Sequence, residues 1–369
     1  MIHEPEVHRY FLLTLDPVHV GTGGAQLGRV DNPIVREPGT RIPKIPGSSL
    51  HGMIRAYAAQ RFGKPQCAGQ GKNHCAQPTC PICYTFGHAR DKEGGKAGVV
   101  AISDARILLF PVYSMVGPVW VTSPSALQDA GFRDDDRPSA YSEVDANGEG
   151  KARWPDALSA QAHLNLGWLM VERDENDSEW KPEDLFEEVI PEPIRNRVVL
   201  VSDKLFSQIV NSNLEVRTSV AINPETGAAE EGALFTYEAI PRATVLWMDV
   251  VVSDYRGAFP SKKRLEKWLK KDDEDFASDE KPSREDLRRT GWTDELAQEA
   301  LEKYLAANLD WEKSQDLIAS GLEWAESLGV GGMGTRGFGR IRKIEDCVVS
   351  DQGKCEKQSA NGNAQNTGG

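Results

Sequence analysis

Apolar and polar positions along the first third of the chain predict a strand, a helix and then more strands. A strand that ends in a Pro-containing turn is indicated by YFLLTLDPVHVG, which begins at Tyr10. The apolar spacing of a helix follows in SSLHGMIRAYAAQRFG, with Ser48 or Ser49 as its N-cap. Further strands are predicted by GVVAISDARILLFPV and MVGPVWVTSP. Both types of secondary structure therefore belong to one fold.

The rest of the chain predicts a hairpin, helices and a final strand. Two alternating arms flank PETG in LEVRTSVAINPETGAAEEGALFTYEAI, which indicates a long β-hairpin. Residues 262–327 are mostly helical in pattern, and a Gly-rich loop, GVGGMGTRGFGR, leads into the last strand. This order predicts an α+β fold with an antiparallel sheet, of the ferredoxin-like or RRM-like kind. We expect one domain over residues 1–345, with insertions at 62–98 and 129–160, and a flexible polar tail over 346–369.

Charge is distributed unevenly along the chain, whose net charge is −13. That total alone argues against a polyanionic partner, because nucleic-acid binding depends on cations that displace counterions from phosphates. Residues 17–61 nevertheless carry six Lys and Arg and only two acids, Asp31 and Glu37. Residues 329–343 carry four cations and no acid. The sequence therefore predicts local basic surfaces on an acidic protein.

Composition predicts neither a membrane protein nor a secreted disulfide scaffold. No apolar run is long enough to cross a bilayer, and the N-terminal MIHEPEVHRY contains acids and no hydrophobic block. Four of the six cysteines lie within residues 67–83, a spacing that indicates a metal site. We therefore expect a cytoplasmic protein.

Two segments have the composition of phosphate-binding backbone. The Gly-rich loop lets main-chain N–H groups approach a phosphate closely, and Arg336 and Arg340 add positive charge. The first helix offers free N–H groups at its N-terminus, where Lys44, Ser48 and Ser49 lie nearby. A flexible connector and serines that only cap a helix are the alternatives.

The cysteine-rich segment predicts a structural zinc site. Cys80 and Cys83 form a CxxC pair, and Cys75 precedes them. Either Cys67 or His74 can complete a tetrahedral set with these three thiolates. Four protein ligands leave no open coordination position, so the expected metal orders a polar loop. Reduced cysteines without metal are the alternative.

The predicted hairpin carries apolar side chains near its tip. Val220, Ile222, Leu234 and Phe235 lie in its two arms, where they could wedge between nucleic-acid bases. An ordinary hairpin of a sheet explains the same pattern. The sequence leaves both interpretations open.

Asp31 is an acid inside the otherwise basic loop GRVDNPIVREPGTRIPK. As a solvated turn residue it needs no function. A carboxylate close to an RNA phosphate repels it, unless a divalent cation bridges the two groups or the carboxylate accepts a proton from the attacking oxygen. Either role serves phosphodiester cleavage. His19, in DPVHVG, is a candidate helper.

The order of these motifs resembles the RAMP superfamily of CRISPR proteins. The resemblance rests on LDPVHVGTGGAQLGRVDNPIVRE, IPKIPGSSLHGMIR, VSDKLF with INPETGAAEEGALFTYEAIP, and the Gly-rich loop, in this order along the chain. The chain is most similar to the repeated backbone subunit of type III-B (Cmr) effector complexes. A cysteine cluster that ends in CxxC is more typical of the type III-A (Csm) branch, so the branch stays open.

The resemblance implies a palm with a protruding thumb hairpin, matched here by residues 211–241, and copies of the chain that form a filament along a guide RNA. It implies that Asp31 cleaves the paired target RNA with Mg²⁺ or Mn²⁺, while the thumb separates segments of the duplex. The expected partners are crRNA, target RNA, copies of the chain and other subunits of the complex. The implied RNA contacts are Lys44, Ser48, Ser49, Arg55, Arg336, Gly337 and Arg340.

Two other functions are open at this stage. In a structural subunit without catalytic activity, Asp31 would only shape its loop. A guide-processing ribonuclease of the same superfamily would cleave precursor RNA at a repeat hairpin, but the sequence shows no histidine-centred acid-base set for that reaction.

Overall fold

The computed structural model describes residues 4–23, 30–69, 73–89, 95–132, 144, 150–174, 180–270, 282–350, 353 and 355–356. The strands in these ranges are β1 (Glu6–Thr14), β2 (Lys44–Ile45), β3 (Gly87–His88), β4 (Lys96–Ala97), β5 (Val100–Ile102), β6 (Ala105–Val112), β7 (Val119–Thr122), β8 (Lys151–Ala152), β9 (His163–Leu166), β10 (Leu169–Arg173), β11 (Val198–Leu200), β12 (Glu215–Ile222), β13 (Ala229–Ala239), β14 (Val245–Val252), β15 (Ile341–Val349) and β16 (Cys355–Glu356).

The helices in the same ranges are α1 (Gly47–Arg61), α2 (Pro81–Phe86), α3 (Pro124–Asp129), α4 (Pro182–Leu185), α5 (Glu192–Arg195), α6 (Asp203–Ser212), α7 (Lys262–Lys270), α8 (Arg284–Arg289), α9 (Asp294–Ala306) and α10 (Ser314–Leu328). Short 3₁₀ turns occupy 65–67, 156–158 and 334–336. No helix in the described part of the chain is long and apolar enough to span a membrane.

Four strands of the large sheet form a ferredoxin-like core. Strands β6, β14, β1 and β15 lie side by side in that order, and each neighbouring pair is antiparallel. Along the chain they occur as β1, α1, β6, β14, α10 and β15, which is the β-α-β-β-α-β order of that fold. Strands β7 and β11 extend the sheet beyond β6. The α+β prediction with a ferredoxin-like palm is therefore confirmed.

Helices α1 and α10 cover one face of this sheet. Tyr10 and Leu12 of β1 point into the core that the two helices close. Gly321 of α10 lies directly against Ile54 of α1, where a Cβ atom would come within 2.7 Å of the Ile54 side chain. Glycine therefore permits a close approach of the two helices that a larger residue would prevent.

The opposite face of the sheet is also buried. Phe11, which lies between Tyr10 and Leu12, points to that side and packs in a second core with Trp247, Trp180 and Phe186. RRM domains stack RNA bases on an open sheet face. Because both faces are covered here, the sheet presents no open face of that kind.

The structure corrects the start of the expected tail and shows order within the 129–160 insertion. Half of that insertion lies outside the described residues, but Trp154 is fully buried and β8 joins a small sheet with β10 and β9. The tail was expected to begin at residue 346, whereas β15 runs to Val349 and pairs with β16. A disulfide also joins Cys347 to Cys355. Burial of apolar side chains and pairing of strands order these segments. The sequence did not predict this, because most residues around them are polar.

Candidate nucleic-acid interface

Strands β12 and β13 form the thumb, a two-stranded hairpin that pairs with no strand of the large sheet among the described residues. Ser219 lies opposite Phe235, and Val220 lies opposite Leu234. The four apolar residues predicted at its tip are exposed, with fractions of 45% for Val220, 61% for Ile222, 63% for Leu234 and 43% for Phe235. The protruding hairpin is confirmed. Wedging between bases stays a prediction, for which these exposed side chains are suitable.

Asp31 lies against β13, where the thumb joins the palm. Its Oδ2 atom accepts hydrogen bonds from the backbone N–H and the hydroxyl of Thr236, at 2.9 and 2.8 Å. The backbone N–H of Asp31 donates in return to Thr236 Oγ1 at 2.9 Å. The backbone N–H of Thr236, and then its hydroxyl, lower the pKa of Asp31, so this exposed carboxylate is ionised at neutral pH. Its other oxygen, Oδ1, accepts no hydrogen bond from the described residues.

The loop that follows Asp31 is fastened to the same strand. Asn32 donates its N–H to Thr236 O and accepts the N–H of Glu238, both at 3.1 Å. The carboxylate of Glu238 pairs with Arg36 at 2.6 Å, and Arg36 also donates to Asn211 of α6 at 3.0 Å. The conformation of this loop therefore depends on a strand about two hundred residues later in the chain.

His19 ties the Gly-rich loop to β13. Its Nδ1 atom donates to Glu238 O at 2.7 Å, and its backbone oxygen accepts the N–H of Gly332 at 2.9 Å. The ring is buried and meets the Tyr237 ring edge to face, with 5.6 Å between centroids. Within the described residues His19 makes no hydrogen bond to Asp31, so the geometry gives it a structural position and not that of a catalytic helper.

The Gly-rich loop presents its cations to solvent. Met333 and Gly337 adopt left-handed conformations, with φ of 68° and 78°, and enclose the exposed turn that carries Arg336. Among the described residues no carboxylate lies within ion-pair distance of Arg336. Arg340 instead forms a two-point ion pair with Asp16, at 2.5 and 3.1 Å. Arg336 is therefore the freer of the two predicted phosphate contacts.

Two further arginines, which sequence reasoning missed, join this surface. The hydrogen bond from Arg340 lowers the pKa of Asp16, and the charges of Arg217 and Arg242 lower it further, so all three cations lie close to one carboxylate. Arg217 also lies over the Phe338 ring of the Gly-rich loop, 4.8 Å from its centroid. We call Arg217, Arg242, Arg336 and Arg340 the arginine cluster.

Arg217 and Thr236, the residue that holds Asp31, lie on different faces of the thumb. Directly opposed residues of an antiparallel pair share a face, and successive residues alternate between faces. Arg217 lies opposite Tyr237, whereas Thr236, which holds Asp31, lies opposite Thr218. The cationic side chain and the acid-binding side chain therefore leave the hairpin on opposite sides.

Four cysteine side chains converge beside α1 and α2. The sulphur atoms of Cys67, Cys75, Cys80 and Cys83 all lie within 4.8 Å of one another, and they form the only group of three or more possible metal ligands in the described residues. Cys83 Sγ is 3.8 Å from Cys75 Sγ and 3.7 Å from Cys67 Sγ. A tetrahedral zinc ion with Zn–S bonds of about 2.3 Å places its sulphur ligands about 3.8 Å apart, so this set fits zinc. His74 lies outside the group, and Cys67 is the fourth member.

Two buried cations accompany these sulphur atoms. Arg55 is 6% exposed and donates to Cys67 O and Phe86 O, at 2.7 and 3.3 Å. Lys64 is 2% exposed, lies 4.0 Å from Cys75 Sγ and pairs with Glu299 at 3.1 Å. Burial lowers the pKa of Arg55, and the neighbouring cysteines act in the opposite sense. Such cations offset the negative charge of a metal-bound tetrathiolate.

Most of the chain matches one protein family. Residues 11–342 match the model of the RAMP superfamily. The chain belongs to the RAMP superfamily. The prediction made from the order of its motifs is therefore confirmed.

Individual RAMP proteins resemble the chain along most of its length. The CRISPR system Cmr endoribonuclease Cmr4 of Pyrococcus furiosus is 29% identical over 258 residues, which cover 66% of this chain and 80% of that protein. The crystal structure of oligomeric Cmr4 from Pyrococcus furiosus has a TM-score of 0.54 at 18% identity, covering 94% of this chain and 99% of that one. A cryo-EM structure of type III-B Cmr-beta bound to cognate target RNA has a TM-score of 0.50 at 18% identity, covering 68% and 85%. The two structures show the same fold.

The anion site that we expected at the N-terminus of α1 is filled by an acid of this RAMP chain. Asp104 accepts the first N–H of the helix at 2.7 Å and pairs with Lys44 Nζ at 2.5 Å. The N-cap is Pro46, so the prediction that Ser48 or Ser49 caps the helix is wrong. Ser48 is exposed and stays a candidate RNA contact, but Lys44 is already paired.

The prediction that Arg55 contacts RNA is also wrong for this structure. Its guanidinium is buried beside the cysteines and bonded to two backbone carbonyls. Helical periodicity does not show which side of α1 faces solvent, because α2 and the cysteines cover a side that the sequence of α1 alone leaves open.

Proposed function

We propose that this chain is a guide-RNA-binding backbone subunit of a type III-B CRISPR effector complex and that it cleaves the target RNA paired with the guide. Membership of the RAMP superfamily and the similarity to the Cmr endoribonuclease support the class of complex. The position of Asp31 carries the catalytic part, because one of its oxygens is held by Thr236 while the other accepts no hydrogen bond from the part of the chain that the structure describes. We further propose that the complex acts in the cytoplasm.

The arginine cluster is the proposed contact with the guide backbone. Arginine side chains bind phosphate oxygens strongly and without regard to base identity. Arg217 of the cluster lies on one face of the thumb and Thr236, which holds Asp31, lies on the other, an arrangement that suits a hairpin placed between a guide strand and a target strand. Base pairing with the guide would then supply sequence specificity.

A divalent cation is the proposed cofactor for cleavage. Mg²⁺ commonly binds one or two carboxylates together with substrate phosphates, so Asp31 and RNA oxygens form a suitable donor set for Mg²⁺ or Mn²⁺. When bound, the ion would polarise the phosphodiester and favour formation of the nucleophile. The lowered pKa of Asp31 makes its carboxylate a weak proton acceptor, which favours metal binding over the general-base role.

The test of catalysis is Asp31→Asn in the assembled complex. This change keeps the shape of the side chain and removes its charge, so we expect target cutting to fall by about a thousandfold or more while guide RNA is retained. Asp310→Asn, which neutralises an exposed acid elsewhere, is the matched control and should cut normally. Normal cutting by Asp31→Asn would overturn the catalytic role of Asp31 and would leave it as a residue that only shapes its loop.

We also propose that Cys67, Cys75, Cys80 and Cys83 hold a structural Zn²⁺. The sulphur separations and the two buried cations support this metal. All four ligands come from the protein, so the ion would fix the cysteine region, residues 62–98, and would not meet the substrate. Loss of this ion should therefore lower the stability of the fold.

A further inference from the structure

We propose that Thr236 is a positioning residue for Asp31, so that the thumb determines where the catalytic carboxylate stands. This inference rests on the proposed function and adds to it a residue 205 positions away in the chain. Thr236 would touch neither the RNA nor a metal. It would act only through the orientation of Asp31.

Three hydrogen bonds join the two residues in both directions. Thr236 donates from its backbone N–H and its hydroxyl to Asp31 Oδ2, and its hydroxyl oxygen accepts the N–H of Asp31. The carboxylate cannot rotate without breaking both bonds to Oδ2. Both hydrogen bonds are made to Oδ2, so Oδ1, which accepts none from the described residues, is the oxygen more open to an external ligand.

The contacts around this pair make the Asp31 loop part of the thumb. Asn32 pairs with β13 on both of its backbone groups, through Thr236 O and Glu238 N. The hairpin itself is bonded to no strand of the large sheet among the described residues, and a second bridge to the palm, between Val18 and Ile240, lies at its base. A tilt of the thumb would therefore carry Asp31 with it. Seating of the thumb against RNA and placement of the carboxylate would be one event.

The test compares Thr236→Val and Thr236→Ser in the assembled complex, with guide and target RNA and Mg²⁺. Valine keeps the branched shape and the backbone N–H but removes the hydroxyl that bonds Asp31. We expect kcat for target cutting to fall by about 10- to 100-fold, while KM stays unchanged because guide pairing holds the target. Serine retains the hydroxyl and should cut within about threefold of the unmodified protein.

Thr218→Val is the matched control, since Thr218 is an exposed threonine directly opposite Thr236 on the same face of the thumb. It should leave kcat, KM and the melting temperature unchanged. Asp31→Asn is measured in the same series. Loss of cutting in Asp31→Asn together with a normal rate in Thr236→Val would overturn the positioning role and leave the proposed function intact.

The remaining outcomes are also decisive. Normal cutting by Asp31→Asn would overturn both the proposed catalytic role of Asp31 and the positioning role of Thr236. An equal loss in Thr236→Ser and Thr236→Val, or a loss that accompanies poorer assembly and a lower melting temperature, would assign Thr236 to folding of the thumb. A loss of kcat confined to Thr236→Val supports the proposal.

Discussion

The cysteine region and the base of the thumb both gather charged side chains from distant parts of the chain, but with opposite results. Beside the cysteines, Arg55 and Lys64 are almost completely buried and every strong contact is internal. At the thumb, Arg217 and Arg336 are exposed, and one oxygen of Asp31 accepts no hydrogen bond from the residues that the structure describes. A buried charge must keep its internal partners, because leaving it unpaired is costly. An exposed charge can exchange water for an external ligand. The buried cations beside the cysteines therefore stabilise the fold, whereas the exposed charges at the thumb are available to bind a partner.

The largest effect should follow loss of the proposed zinc site. Replacing Cys80 with Ser removes one of four ligands, and we expect the free energy of unfolding to fall by about 5 kcal/mol or more, because metal binding and folding of such regions are coupled. Metal analysis of the unmodified protein should find about one zinc ion per chain. Protein that is fully folded and free of metal would contradict the site.

A second variant sharpens the ligand assignment. His74 competes with Cys67 for the fourth position in the sequence, but lies outside the sulphur group in the structure. His74→Ala should therefore keep its zinc and Cys67→Ser should lose it, as measured by metal content after dialysis. The reverse result would place the histidine among the ligands.

Arg55 tests the buried side of the comparison. Arg55→Met keeps much of the volume but leaves two carbonyls and the cysteine charge without their partner, so we expect a loss of about 3 to 5 kcal/mol in chemical denaturation. Arg289→Met alters an arginine that is 72% exposed and should change stability by about 0.5 kcal/mol at most. An Arg55→Met protein with unchanged stability and weaker RNA binding would contradict this account and indicate that Arg55 contacts RNA.

Arg217 and Arg336 test the exposed side. Replacing either one with Gln should weaken RNA binding by about 5- to 10-fold at 0.1 M salt and reduce the slope of log affinity against log salt by about one. The melting temperature should not change in Arg336→Gln, because that exposed side chain supports little of the fold. Arg217→Gln also removes the contact with the Phe338 ring and the ion pair with Glu215, so its melting temperature should fall slightly. Arg289→Gln removes an equal charge away from the cluster, and similar losses in that variant would indicate a nonspecific effect of net charge.

The smallest effect concerns the ion pair between Asp16 and Arg340. The pair lowers the pKa of Asp16, so the folded state favours the ionised carboxylate. Its contribution is complete above the unfolded pKa, near pH 4, and is lost as pH falls through the lower folded value. We expect only a small contribution, because the pair lies at the surface and solvent screens its charges. Unfolding of Asp16→Asn and of the unmodified protein should differ above pH 4 and converge below it; a constant difference would contradict this account.

The sequence predicted correctly those features whose residues lie close together in the chain. Alternation on both sides of PETG predicted the thumb, and the CxxC spacing of Cys80 and Cys83 predicted a sulphur site. The RNA contact of Arg55 was predicted incorrectly, and the ion pair of Lys44 was not foreseen, because their partners are distant in the chain. Asp104, which pairs with Lys44, reaches the start of α1 only through the pairing of β2 with β6.

The sequence by itself determined the order of elements, the superfamily, the exposed apolar thumb and the unusual acid at position 31. Only the tertiary structure decided which charges are committed to the fold, that Cys67 and not His74 completes the sulphur group, and that Arg217 joins the Gly-rich loop. It also decided that Thr236 holds Asp31. Periodicity reports the local environment of a residue, whereas hydrogen bonds and burial depend on distances between segments that the chain brings together only when it folds.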